Sequence, residues 1–185
     1  ARPGSLRVVA GTAGGLRLEV PPGSGTRPTA DRVRQAVFNA LDSLDAVEGA
    51  TVLDPFAGSG ALAIEALSRG AATATLCETG ASARQVIEAN LVATGLADRA
   101  RVVAGPGERA LTAGGPWDLV LLDPPYDFTG WDSLLADLVP TLSERAVVVV
   151  ESDHEVPVEP HLRVIRSKRY GGTVVLFAVP PGAPS

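Results

Sequence analysis

"TVLDPFAGSGALAIEALSRGAATATLCE", residues 51–78, decides the fold. A short apolar run, TVLD at 51–54, ends in an acid and meets a glycine-rich turn. GALAIEALSRG at 60–70 has helical spacing and stops at Gly70, and TATLCE at 73–78 is again an apolar strand. Strand, helix, strand at this spacing is a βαβ unit, whose strands must run parallel. Downstream the alternation repeats. ASARQVIEANLVATG reads as a helix ended by Gly95, RVVA (101–104) as a strand, and 107–113 as a short helix. WDLVLLD (117–123), the helix WDSLLADLVPTL and RAVVVVES (145–152) continue the series. Wholly apolar central strands predict a sheet covered by helices on both faces. The final LRVIRSKRY and TVVLFAV, joined by Gly171-Gly172, predict an antiparallel pair, unlike a plain dinucleotide-binding domain.

Upstream, LRVVA (6–10) and LRLEV (16–20) alternate about GTAGG and predict a β-hairpin, followed by the linker PPGSGTRP. In TADRVRQAVFNALDSL, residues Val33, Ala36, Val37, Ala40, Leu41 and Leu44 form one helical stripe, with Thr29 as N-cap. Arg32 and Arg34 fall off the stripe, towards solvent or a partner. The expected division is an extension and linker over 1–28 and a main domain over 29–185.

With 185 residues, 45% of them hydrophobic, the chain suffices for one domain with a full core. No apolar run reaches the roughly 18 residues of a membrane span, and ARPGSLRVVAG lacks a signal-peptide h-region, so a cytoplasmic protein without membrane contact is expected. The single cysteine, Cys77, excludes an intrachain disulfide and cysteine-based zinc frameworks, and no metal is expected. Cys77 reads as core. His154 and His161 flank EVPVEP in a loop and make no triad. The formal charge is −5, yet residues 1–34 carry Arg2, Arg7, Arg17, Arg27, Arg32 and Arg34 against only Glu19 and Asp31. RVIRSKR at 163–169 is a second basic group. Phosphate binding follows such local patches rather than the global balance.

DPFAGSG (54–60) lies at the carboxyl edge of the sheet, where this architecture binds cofactors. GSGALA fits G-x-G-x-x-A, so a nicotinamide dinucleotide is one reading and a purely structural turn another. Asp54, four residues before the first glycine, would repel a pyrophosphate but suits a ligand with an amino group and a sulfonium. That favours S-adenosylmethionine (SAM), with Glu78 placed to grip ribose hydroxyls.

DPPY (123–126) ends the fourth strand on the same edge. The plain reading is a strand terminator, since proline cannot donate to a ladder. The functional reading is a clamp. Asp123 and the Pro124 carbonyl accept from one exocyclic amine, Pro125 stiffens the loop, and Tyr126 offers a face for a flipped base.

DPFAGSGALAIEALSRGA, LVLLDPPYD and above all TRPTADRVRQAVFN resemble the bacterial 16S rRNA guanine-N2 methyltransferases, the RsmD-like family, over nearly the whole chain. The resemblance implies a Rossmann-like class I SAM-dependent methyltransferase domain with a mostly parallel seven-stranded sheet, an antiparallel C-terminal hairpin and a small N-terminal hairpin. It implies a cofactor pocket of Asp54, Phe56, Ala57, Gly58, Gly60 and Glu78, and a target clamp of Asp123, Pro124, Pro125 and Tyr126. The family's usual acid after the third strand is replaced by Pro106, leaving the adenine to a backbone carbonyl or Glu108. CETG lacks the aspartate that often follows the ribose acid. The expected partner is 16S rRNA, in an assembling 30S subunit, and the expected state is a monomer. Arg7, Arg17, Arg27, Arg32, Arg34, Lys168, Arg169 and Tyr170 are expected to hold RNA if both basic groups fold over the carboxyl edge. Competing readings are a DNA adenine-N6 methyltransferase, short of a region to read DNA, a nicotinamide-dependent oxidoreductase, and a non-catalytic RNA-binding assembly factor.

Overall fold

Apolar runs too short for helices become the central strands β1 (Thr51–Asp54), β2 (Thr73–Glu78), β3 (Ala100–Ala104), β4 (Trp117–Leu122) and β5 (Leu142–Ser152). A computed structural model describes residues 6–23 and 28–185, with side chains from residue 31 onward in the second stretch. Among the described residues five α-helices accompany the strands: α1 (Pro28–Ser43), α2 (Ala61–Ser68), α3 (Ala81–Ala93), α4 (Gly107–Ala110) and α5 (Trp131–Leu138). Strands β6 (Arg163–Tyr170) and β7 (Thr173–Val179) close the chain, and the sheet runs in the order β3-β2-β1-β4-β5-β7-β6. Strands β1 to β5 are parallel, and β7 lies antiparallel between β5 and β6. This is the predicted mostly parallel seven-stranded sheet with its antiparallel hairpin, the fold of class I methyltransferases.

Period-two alternation divides the strands between two cores. Val52, Leu119, Leu121, Val147 and Val149 face α1, α2 and α3, whereas Leu53, Val120, Leu122, Val148 and Val150 face α4 and α5. The order reverses between β1 and β4, so a crevice opens above their carboxyl ends, between the tips that carry DPFAGSG and DPPY.

The amino-terminal segment forms a hairpin of one isolated bridge, Arg7 to Arg17, rather than two full strands. The Val8, Gly15 and Leu18 amides bond across the hairpin, and others turn to helices. Val9 and Ala10 donate to the Glu65 carboxylate, Thr12 to the Ser68 carbonyl, and Glu19 to Asn90. Leu6, Val8, Ala13 and Leu18 are buried in the same cluster as α1 and α2, so residues 6–20 share the core of the main fold. Gly11 permits the approach: its φ is +83° and a Cβ would lie 1.9 Å from the Ser68 carbonyl oxygen. Helix α1 begins at Pro28, so Thr29 lies within the first turn and is not the cap expected for it. Of the predicted stripe Val33, Val37, Ala40 and Leu41 are buried and Ala36 is half-buried, but Leu44 lies past the helix end at Ser43 and is exposed.

Candidate active site

The β1–α2 turn is built on glycine where other residues would be strained. Gly58 has φ +57° and Gly60, the residue preceding α2, φ +82°. Ala57 donates to the Cys77 carbonyl at 3.0 Å, and Gly60 to the Ala57 carbonyl at 2.7 Å, locking the turn against β2. Glu78 is held from both sides: its carboxylate accepts from the Gly58 amide and the Gly80 amide, each at 3.1 Å. The β3–α4 loop supplies the opposite wall. Gly107 packs so closely on the first loop that a Cβ would meet the Pro55 carbonyl oxygen at 2.4 Å.

Between these walls lies a cleft of about 510 Å³, lined among others by Phe56, Gly58, Glu78, Pro106, Glu108 and Asp123. Its size is in the range of small-molecule sites. Cys77 contributes to the floor, is fully buried, and has its thiol pKa pushed up to about 11, chiefly by burial. It is core, as read, and unsuited to be a nucleophile.

Strand β4 ends at Leu122, and DPPY begins where the ladder stops. Pro124 is buried, Pro125 and Tyr126 are exposed, and Tyr126 presents 46% of its surface. Among the described residues no donor reaches the Pro124 carbonyl. Phe128, which the sequence reading passed over, ties the two loops together. Its amide donates to Pro125 at 2.9 Å, and its ring meets Phe56 edge-on at 5.5 Å and Trp131 at 5.1 Å. Such edge contacts fix the DPPY loop relative to the glycine turn.

Asp54 is 1% exposed, yet neither carboxylate oxygen has a partner in hydrogen-bonding geometry. Burial, then the charge of Asp123, raises its pKa to about 8, against the partial opposition of the Ala63 and Phe56 amides. Burial raises Asp123 to about 6. A third acid belongs to the group: Glu151, at the end of β5, is raised to about 8 by burial and then by Asp123. Sequence reading missed Glu151. VVVVES ends a central strand in an acid as TVLD and LVLLD do, but its place beside Asp123 depends on a register the sequence does not print. An unpaired carboxyl buried this deeply is costly unless something else is bound there. Glu78, held at two points, lines the cleft and fits a vicinal diol, and Asp54, buried directly before the lining residues Pro55 and Phe56, is an acid that a cationic amino group would satisfy.

The basic residues divide. The Gly171-Gly172 turn of the β6–β7 hairpin stands at the carboxyl edge, because Ser152 pairs with Val174 and Arg169 with Val174 in turn. Lys168 and Arg169 are exposed there, with Lys168 over the Tyr170 ring at 5.5 Å. Charged residues on this edge strand also guard against strand addition, their plain structural role. Arg7, Arg17 and Arg32 are exposed, and Arg7 donates to the Gly15 carbonyl within its own hairpin at 2.9 Å. Arg34 does not point to solvent. It is 4% exposed, donates to the Arg7 carbonyl, and pairs with Asp31 at 3.1 Å and Glu65 at 3.6 Å. Its neighbours along the helix hid this, because the partner is a glutamate on α2. Nor does Arg32 take Asp31 or Asp42 as a structural partner. Those acids pair with Arg34 and Arg69. Arg27 lies outside the described residues.

The family model described as "Conserved hypothetical protein 95" matches residues 6–179. The chain belongs to that family. Its relatives include "Ribosomal RNA small subunit methyltransferase D" of Escherichia coli K12, 38% identical over 164 residues, covering 82% of this chain and 77% of the relative. The Haemophilus influenzae protein of the same name is 32% identical over 160 residues, covering 83% and 82%. Among solved structures, Escherichia coli yhhF, provisionally described as a methyltransferase, superposes with a TM-score of 0.83 at 36% identity, covering 98% of this chain and 100% of that one. The RsmD-like resemblance of the sequence is borne out. No helix among the described residues is long and apolar enough to cross a membrane, and they hold no cluster fit for a metal.

Proposed function

We propose that this protein transfers a methyl group from SAM to the exocyclic N2 amine of a guanine in small-subunit rRNA, in the cytoplasm of its host. The observation that carries the reading is the pairing of a fully buried Asp54, unsatisfied by any side chain, with a DPPY clamp at the tip of the neighbouring strand on the same edge. The relatives' names, which specify small-subunit ribosomal RNA, support the substrate class. The donor–donor edge of guanine suits acceptors better than any other base does.

Asp54 would hold the amino group of the cofactor, Glu78 its ribose hydroxyls, and the Gly58–Gly60 turn lets the backbone come close to both. Once bound, SAM supplies an electrophilic methyl on a positively charged sulfur. Asp123 and the Pro124 carbonyl accept from the target amine, hold it in line, and draw its lone pair away from the ring. N-methylation sheds one proton from the amine. Asp123, with a pKa of about 6, can take it and pass it to solvent. Tyr126, exposed at the rim, provides the face on which the extruded base stacks. A nicotinamide-dependent oxidoreductase leaves the clamp without work, and an acid at Asp54 disfavours a pyrophosphate.

Incubation with methyl-labelled SAM and either 30S particles or free 16S rRNA, followed by nucleoside analysis, tests the reading. Label in N2-methylguanosine supports it. Label in N6-methyladenosine, or on DNA alone, would replace it with the adenine reading.

A further inference from the structure

Asp123 accounts for the amine but not for the choice of base, since adenine and cytosine also carry one. We propose that Glu151 determines that choice by accepting the N1–H of guanine beside the amine held at Asp123. The inference rests on the guanine-N2 reading above.

Register is the first argument. Leu122 pairs with Val150, so the next residues of the two strands, Asp123 and Glu151, are neighbours across about 4.8 Å of sheet. Both continue the alternation of Leu121 and Val149 and so share one face. The second argument is side. The cofactor cleft spans the tips of β1, β2 and β3 and reaches Asp123 as its outer wall. Glu151 lies one strand beyond Asp123, away from that cleft, where a target base must enter. The third is availability. Among the described residues the Glu151 carboxylate makes no hydrogen bond and no ion pair, and it is only partly buried. Arg34, whose charge is felt there, is committed to Asp31 and Glu65. Beside Asp54, whose two oxygens lack partners at 1% exposure, the edge presents more acceptors than the protein satisfies.

Chemistry then selects the ligand. Guanine alone presents a ring N–H next to its exocyclic amine. Adenine and cytosine present a bare ring nitrogen in that place, which would meet the Glu151 oxygens lone pair to lone pair. Two ionised carboxylates side by side therefore read donor–donor, and the discrimination against a bare nitrogen is that of ionised Glu151, sharpening as pH rises through about 8. On the far side of Glu151, Val175 and then Lys168 continue the row across the sheet. That brings a cation to where the phosphate of an extruded nucleotide would pass.

The test uses 16S rRNA carrying either guanine or 2-aminopurine at the nucleotide the wild-type protein methylates. 2-Aminopurine keeps the amine but has no N1–H. For the wild type, kcat/KM on guanine should exceed that on 2-aminopurine about 100-fold or more, since a site built for a donor rejects its absence. In Glu151→Gln the amide can donate to a bare N1, so guanine activity should fall about 30-fold and the preference should shrink below about 5-fold. Glu151→Ala should lose guanine activity with no gain on 2-aminopurine. SAM affinity by calorimetry should stay within about two-fold in both variants. A preference unchanged in both variants would overturn the proposal, as would loss of SAM binding in Glu151→Gln, which would make the residue a support of the edge. Wild-type product other than N2-methylguanosine would instead overturn the function on which the proposal rests.

Discussion

Asp54 and Glu65 are both carboxylates with essentially no exposed surface, 1% and 0%, and the protein treats them in opposite ways. Glu65 accepts from the Val9 and Ala10 amides at 2.9 and 3.1 Å and from Arg69 Nε at 2.9 Å, with Arg34 Nε at 3.6 Å. It joins the amino-terminal segment, α1 and α2 into one body. Asp54 has no side-chain partner, only the partial support of the Ala63 and Phe56 amides outside good hydrogen-bonding geometry. A buried acid that the fold satisfies is structure; at the one it leaves wanting we propose that a ligand binds. The contrast also separates two kinds of arginine, since Arg34 belongs to the satisfied knot and Lys168 and Arg169 to the open edge.

The sharpest break between the two regions is catalytic. Asp123→Ala should abolish methyl transfer, by 1,000-fold or more on the order of magnitude of lost positioning, while SAM binding persists. Lost SAM affinity would make Asp123 a cofactor ligand instead. In the satisfied region, Glu65→Gln should cost about 3 kcal/mol in denaturant unfolding, because it removes the buried charge that Arg34 and Arg69 share and leaves them only Asp31 and Asp42. Unchanged stability would mean that the knot contributes little.

Asp54→Asn should act the other way on stability. The folded pKa of Asp54 is raised from 3.8 to about 8, so its contribution is complete below about pH 4 and is lost as pH rises towards 8. The melting temperature of the unliganded wild type should therefore fall on the order of 5 °C between those limits, and less in Asp54→Asn. Coincident pH profiles would contradict the assignment. The smallest effect is expected at the hairpin. Charge reversal of Lys168 and Arg169 together should weaken RNA binding and lower the salt slope by about 2, one per phosphate contact, leaving SAM binding intact. An unchanged slope would confine both residues to guarding the edge strand.

Most of this fold was legible because its strands are apolar runs and its helices end on glycine. TVLD, TATLCE and WDLVLL became strands nearly residue for residue, and DPFAGSG and DPPY fell at the predicted edge. Three features were not legible, each depending on contacts distant in sequence. The hairpin stays at a single bridge because Leu16 donates into the turn at Ala13, while Glu65 and Ser68, more than fifty residues away, take the Val9, Ala10 and Ala13 amides. Arg34 looked solvent-facing on a lone helix and is buried by α2. Glu151 escaped notice because only the β4–β5 register sets it beside Asp123.

The central claim is that Asp54 stays unpaired because its partner is the cationic amino group of SAM. Calorimetric titration of wild type with SAM at pH 7, in buffers of differing ionisation enthalpy, tests it directly, with NAD as the comparison ligand. The account predicts SAM binding with release of up to about one proton, as Asp54 ionises on meeting the cation, absence of that release in Asp54→Asn, and no binding of NAD. SAM binding with the same proton count in wild type and Asp54→Asn, or tighter binding of NAD, would contradict it.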